Sequence, residues 1–139
     1  MADRDIKEIP IRNFVLCYNR QINDIQKAKY LKENVKTIID YLPIENKIDL
    51  VESTIFVDGK YEHIYSYVYR YINYVLRVID TYTNLQVKFS SGKEMYDQFD
   101  LLDQAGLVDI LLNVIVPKKE LTEIITFSNM CLDEIKINK

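Results

Sequence analysis

Few side chains in this sequence are of the types that carry out chemistry. The chain has one histidine, His63, and two cysteines, Cys17 and Cys131, which lie far apart. A structural zinc site needs about four nitrogen or sulfur ligands, so we predict no metal and no other cofactor. The cysteines form neither a C-x-x-C pair nor a disulfide framework, and we expect both to be buried free thiols.

Carboxylates are the other candidate catalytic groups. Close pairs occur among Asp97, Asp100 and Asp103, and again at Asp133 and Glu134. Acid/base catalysis by such a pair requires a cleft that separates the two pKa values, whereas these residues fall on the polar faces of predicted helices. The sequence also has no phosphate-binding glycine loop and no nucleophile motif. We therefore predict that the protein is not an enzyme and has no small-molecule substrate.

The charge pattern disfavours two classes of partner. The chain has 139 residues and a net charge of -3, with its cations scattered among acids. A nucleic-acid-binding protein normally carries a basic stripe, so nucleic acid is not an expected partner. No apolar run approaches the ~20 residues of a membrane span, and the charged N-terminus does not resemble a secretion signal. We expect a location in the cytoplasm or in an assembly formed there.

The spacing of apolar residues predicts an all-α fold. One domain is expected over residues 13–139, with about five or six helices around a central helix at residues 61–82 and a short extended strap near residues 85–89. Residues 1–12 are predicted to form an extended arm, because Pro10 disfavours helix at the residue before it. The predicted helices cover residues 13–30, 31–42, 43–57, 61–82, 93–105, 107–116 and 118–135, and the first two could instead form one bent helix.

Apolar residues at spacings of three and four predict the buried face of each helix. In the first three helices these residues are Phe14, Tyr18, Ile22 and Ile25, then Val35, Ile38, Ile39 and Leu42, then Ile44, Ile48, Val51 and Ile55. Residues 54–57 could alternatively form a strand that ends in a hairpin at Asp58-Gly59. Pro43 and Pro117 are expected to separate helices, and Gly106 is expected to close one with left-handed backbone.

The helix predicted over residues 61–82 is apolar around most of its circumference. Val68 and Val75 lie in the middle of the apolar arc. A helix of this kind is normally buried, so we predict that it is the central helix. A narrow polar strip completes it, formed by Glu62, His63, Ser66, Arg70, Asn73, Arg77 and Asp80.

Tyrosine is the unusual residue of this chain, with 11 copies and no tryptophan. Tyrosine packs in cores, is enriched at protein interfaces and can stack on bases. We favour core packing first, a protein interface second and base stacking last. The candidate partner-binding residues are Ile6, Ile9 and Ile11 of the arm, together with Tyr67, Tyr69 and Tyr74 at the edges of the apolar arc.

Residues 38–135 also resemble a known family. The resemblance is carried by the segments Tyr41-Leu42-Pro43-Ile44-Glu45-Asn46-Lys47, Asp80-Thr81-Tyr82-Thr83-Asn84-Leu85, Tyr96-Asp97-Gln98-Phe99, Ala105-Gly106-Leu107, Ile115-Val116-Pro117-Lys118-Lys119-Glu120 and Leu132-Asp133-Glu134. These resemble uncharacterised proteins encoded among the virion and morphogenesis genes of phages of Gram-positive bacteria. The resemblance implies a small helical structural or assembly protein, located in the virion or the host cytoplasm, that binds other virion proteins or itself and has no catalytic residues. The residues before Leu31 lie outside it, and the alternative function is a phage-encoded regulator or inhibitor that binds a host protein.

Overall fold

Helices make up most of the described chain, which confirms the predicted all-α class. The structure is a computed structural model that describes residues 8–55 and 67–137. Within these ranges lie two very short strands and seven α-helices. In chain order they are β1 (Ile9–Pro10), α1 (Ile11–Asn19), α2 (Asp24–Asn34), α3 (Ile44–Ile55), α4 (Tyr67–Tyr82), β2 (Leu85–Gln86), α5 (Gly92–Gln104), α6 (Val108–Ile110) and α7 (Lys118–Ile137).

Helix α4 occupies the centre of the fold, as predicted, and packs between α3 and α5. Val75, Val78 and Ile79 on this helix are completely buried. The polar strip does not simply face solvent: Asn73 is buried against α3, where its amide donates to the Ser53 carbonyl at 3.3 Å. The predicted part of this helix before Tyr67 lies outside the described residues.

A small sheet holds the start of the described chain against the segment after α4. Strands β1 and β2 pair in parallel, with Ile9 opposite Leu85 and Pro10 opposite Gln86. The Ile9 N–H donates to the Asn84 carbonyl at 2.9 Å. The expected strap is thus present as β2, and Ile9 at the end of the predicted arm is extended.

The prediction of a helix over residues 31–42 is wrong. Helix α2 ends early, and the chain beyond it runs extended alongside the end of α4. The Ile38 N–H donates to the Tyr82 carbonyl at 2.9 Å, and Thr37 forms an antiparallel bridge with Thr83. Because these backbone groups find partners far along the chain, they do not need the bonds of a helix.

The side chain of Asn84 fixes this extended segment. Its Oδ1 accepts from the Lys36 N–H at 2.8 Å, and its Nδ2 donates to the Asn34 carbonyl at 2.9 Å. Both bonds satisfy backbone groups at the point where α2 ends. The sequence separation of about 50 residues explains why local spacing gave no sign of them.

The first predicted helix is interrupted after Asn19. Asn23 starts α2 afresh, since its Oδ1 accepts from the Gln26 N–H at 2.9 Å and the Gln26 side chain accepts from the Ile22 N–H at 3.1 Å. This reciprocal cap is a strong start signal. The break turns Ile22 and Ile25 away from the buried face and out to solvent, so their predicted burial is wrong.

The buried face of α3 includes Val51, as predicted, but is rotated away from Ile44 and Ile48. Ile44 and Ile48 are about half exposed, whereas Lys47, Leu50 and Thr54 are buried. The rotation places the Lys47 ammonium inside the protein, where it meets acidic residues of α7. Of the alternative strand at residues 54–57, the first two residues belong to α3 and the others lie outside the described residues.

Turn residues after α5 behave as predicted. Gly106 has a φ of 70°, which is left-handed backbone that favours glycine. Helix α6 then passes into a π-helical turn at Leu111–Ile115, where the Val116 N–H donates to the Leu111 carbonyl at 3.0 Å. Pro117 follows, and α7 begins after it.

Candidate protein-binding surfaces

The most concentrated set of charged groups is buried between α3, α4 and α7. Lys47 Nζ lies 3.0 Å from Glu120 Oε2 and 3.1 Å from Glu123 Oε1. Glu120 Oε1 accepts from the Tyr82 hydroxyl at 3.1 Å and from the Leu42 N–H at 2.7 Å. These five residues tie together three helices and the extended segment that precedes α3.

Electrostatics keep this buried cluster ionised. Burial acts against the charge on Glu120, but the hydrogen bonds it accepts outweigh burial and lower its pKa. Burial likewise acts against the charge on Lys47, and the two glutamates outweigh it and raise the pKa of the ammonium. Lys47 is 0% exposed and Glu120 2% exposed, and the Tyr41 ring lies 4.1 Å from Lys47 Nζ. Lys47 and Glu120 are thus shielded from solvent, while the Glu123 side chain is 34% exposed. We assign the cluster to stability because its charges pair with one another across three helices.

A cleft of about 170 Å³ opens between α3, α4 and α7. The Tyr74 hydroxyl and Ser128 Oγ line it, and both are buried atoms without a hydrogen-bond partner in the described part of the chain. Burial raises the pKa of the Tyr74 hydroxyl. The structure therefore places Tyr74, a predicted partner-binding residue, within this cleft.

The two buried tyrosines of α4 are expected to respond differently to loss of their hydroxyls. Tyr82→Phe removes a hydrogen bond to the charged Glu120 and should lower the free energy of unfolding by about 1.5–3 kcal/mol. Tyr74→Phe removes a buried hydroxyl that has no partner, so it should leave stability unchanged or raise it by up to about 1 kcal/mol. Urea denaturation of both variants measures the difference. An equal loss in both would show that the Tyr74 hydroxyl is satisfied.

Aromatic side chains are exposed where the beginning of α4 meets α5. Tyr69 packs edge-to-face on Tyr96, and Tyr71 packs in the same way on Phe99, each pair with ring centroids 6.1 Å apart. Val68 is 69% exposed, Tyr71 48% and Tyr96 41%. Val68, Tyr69, Tyr71, Tyr96 and Phe99 are together called the aromatic surface below. Exposed apolar groups gathered in one place are typical of binding sites, whereas isolated ones are common on any surface.

Acidic side chains flank the aromatic surface. Burial raises the pKa of the Tyr71 hydroxyl, and the nearby charges of Asp109 and Asp103 raise it further. Asp100 is also exposed on α5, one residue after Phe99. An aromatic centre with a charged rim is the usual composition of a protein-binding surface.

The predicted arm residues do not lie on this surface. Ile6 falls outside the described residues, Ile9 is half-buried in β1 and Ile11 is buried in the core at the start of α1. Ile11 therefore has no accessible side chain to offer a partner. The helix begins at this residue, before the predicted end of the arm, because Pro10 takes the position that precedes the first helical residue.

The predicted tyrosines are only partly brought together. Tyr69 belongs to the aromatic surface and is half-buried, and Tyr74 lies in the neighbouring cleft beside Tyr71. Tyr67 begins α4, and its side chain is outside the described residues. Val68, Tyr71 and Tyr96 were not predicted as surface residues. Periodicity identifies the apolar face of a helix, but it does not show how much of the helix other elements cover.

The groups considered for metal or catalytic roles are dispersed. Within residues 8–55 and 67–137, no group of three or more His, Cys, Asp and Glu side chains is arranged to hold a metal ion. Cys17 and Cys131 are free thiols but only half-buried, and Cys131 packs against the edge of the core. His63 lies outside the described residues, and Asp100, Asp103, Asp133 and Glu134 are exposed. None of the described helices combines the length and apolar character needed to cross a membrane.

Comparison with known proteins assigns no role to these surfaces, so their roles are inferred from geometry alone. No family model, no curated protein and no solved structure matches the chain. The fold and site together describe a small all-α protein with a largely buried ionic cluster and an exposed aromatic surface.

Proposed function

We propose that this protein is a non-enzymatic structural or assembly component of bacteriophage particles, and that it binds other virion proteins through the aromatic surface. The single observation that carries protein binding is the exposure of Val68, Tyr71 and Tyr96 where the beginning of α4 meets α5, with acidic residues near Tyr71. Aromatic residues of this kind provide much of the binding energy when a partner removes them from water. The particle as the place of binding is supported by the resemblance over residues 38–135.

The main competing function is that of a phage-encoded regulator that binds a host protein. One observation favours it: α1 and the beginning of α2 lie outside the part of the chain that resembles virion proteins, and they carry the most exposed aliphatic residues, Ile22 and Ile25. The two functions predict different locations, the particle in one case and the host cytoplasm in the other.

Quantitative mass spectrometry of purified particles separates the two functions. We expect the protein in particles or assembly intermediates in a constant ratio to a major virion protein across independent preparations. A cytoplasmic protein expressed at the same level serves as the control for carry-over. Absence from both particles and intermediates, together with a stable complex with one host protein, would overturn the assembly function in favour of the regulator.

A further inference from the structure

The turn between α1 and α2 is a second unpartnered surface, of a different chemistry. Ile22 is 85% exposed and Ile25 is 82% exposed, the highest values among the large apolar residues of the described chain. Arg20, Lys27 and Lys29 lie near them in the sequence, and one exposed acid, Asp24, lies between them. Ile22, Ile25, Arg20, Lys27 and Lys29 are together called the basic tip.

Positively charged residues outnumber acidic ones over α1, α2 and the turn between them. Residues 11–36 contain six Lys or Arg and two acidic residues, although the net charge of the chain is -3. Lys27 lies over the Tyr18 ring at 5.7 Å, and Lys29 makes a loose exposed pair with Glu33 at 3.9 Å. The ring contact leaves the Lys27 charge in place, and the Lys29–Glu33 pair offsets one positive charge, so six cations against two acids still leave residues 11–36 positive.

The aromatic surface has the opposite charge. Residues 92–110, which form α5 and α6, contain five acidic residues and one lysine. Lys93 pairs with Asp97 at 3.2 Å, so the acidic excess on this side comes from Asp100, Asp103 and Asp109. On α4, Arg70 lies between Tyr69 and Tyr71 in the sequence and adds one positive charge. The turn between α1 and α2 therefore belongs to a basic part of the chain, and the α5–α6 side of the aromatic surface is acidic.

We propose that the partner of the aromatic surface is a second copy of this chain, which inserts Ile22 and Ile25 of its basic tip among Val68, Tyr71 and Tyr96. This inference rests on the function proposed above, because it names one partner of the same surface. The opposite charges of these two regions favour the encounter and fix its orientation, while the apolar centres lose their contact with water. The high exposure of Ile22 and Ile25 shows that a tip does not cover the aromatic surface of its own chain.

Two complementary variants test this contact. The tip variant, Ile22→Asp with Ile25→Asp, makes the tip polar and less basic. The surface variant, Val68→Lys with Asp103→Lys, makes the aromatic surface more positive. All four positions are exposed, so both variants should fold, and circular dichroism with a thermal melt checks this. Met130→Lys, at an exposed apolar residue of α7, serves as the matched control.

Sedimentation velocity of the full chain at increasing concentration provides the readout. The wild-type protein and Met130→Lys should self-associate, and each of the two variants alone should associate at least about tenfold more weakly. An equimolar mixture of the two should form a 1:1 complex, because the intact tip of one variant meets the intact surface of the other.

Self-docking is overturned if the wild-type protein stays monomeric up to millimolar concentration, if either variant associates as the wild-type does, or if the mixture forms no complex. These outcomes are distinguishable from failure of the proposed function. A monomeric protein that is nevertheless present in particles retains the virion role and loses only the second copy as a partner.

Discussion

Replacing Val75 with aspartate is expected to unfold the protein, whereas the same change at Val68 is expected to be tolerated. Val75 is 0% exposed and packs at the centre of the core, while Val68 is 69% exposed near the beginning of the same helix. An unpaired charge in the core costs more than about 4 kcal/mol. This is comparable to the whole stability of a small domain, about 5–15 kcal/mol.

The two α4 variants form a matched pair because residue type, helix and substitution are the same. Val68→Asp should change the free energy of unfolding by no more than about 0.5 kcal/mol, as is usual for surface positions. Thermal melts followed by circular dichroism measure both. If Val68→Asp also unfolds the protein, the first turn of α4 is covered and the aromatic surface is not exposed.

The second large effect is expected from the buried ion pair. Lys47→Met leaves the Glu120 carboxylate inside the protein without the ammonium 3.0 Å away. Loss of one partner of a buried pair costs about 3–5 kcal/mol, because the remaining charge is desolvated and uncompensated. Methionine keeps most of the side-chain length, so the loss comes mainly from the missing charge.

Lys93→Met provides the control for charge removal. Lys93 also pairs with an acid, Asp97, at 3.2 Å, but on the exposed face of α5. Its loss should cost no more than about 0.5 kcal/mol. Urea denaturation of both variants gives the comparison, and a similar small loss in both would mean that the Lys47 cluster is hydrated.

Helices with their own start and stop signals were predictable from the sequence. Gly106 and Pro117 separate helices as expected, because glycine and proline permit or restrict backbone conformations locally. Pro43 directly precedes α3, but no helix ends there, since α2 already ends at Asn34. The wide apolar arc likewise identified the central helix. These features depend on neighbouring residues, which the sequence shows directly.

Errors arose where distant residues decide the local structure. The segment that contains Ile38 has helical spacing, yet it runs extended because Tyr82 and Asn84 supply its hydrogen bonds. The β-branched residues Thr37, Ile38 and Ile39 favour extended structure, and they are the local signal against a helix here. Similarly, Lys47 is buried on α3 because Glu120 lies opposite, a pairing across 73 residues that periodicity does not reveal.

The candidate surface was only partly predictable from the sequence. The excess of tyrosine favoured core packing first and a protein interface second, and of the three tyrosines predicted to bind a partner, Tyr69 lies on the aromatic surface. The contribution of α5 through Tyr96 and Phe99 depends on how two helices cross. Such a crossing is a property of tertiary packing and has no local sequence signal.

Retention of a surface variant in purified phage particles is the most direct test of the proposal that the aromatic surface binds virion proteins. Val68→Lys alters the surface at an exposed position, and Met130→Lys makes the same change on α7. Both should melt at the wild-type temperature. We expect Met130→Lys to be retained at the wild-type ratio and Val68→Lys to be retained at least about tenfold less. Equal retention of the two folded variants would contradict the claim.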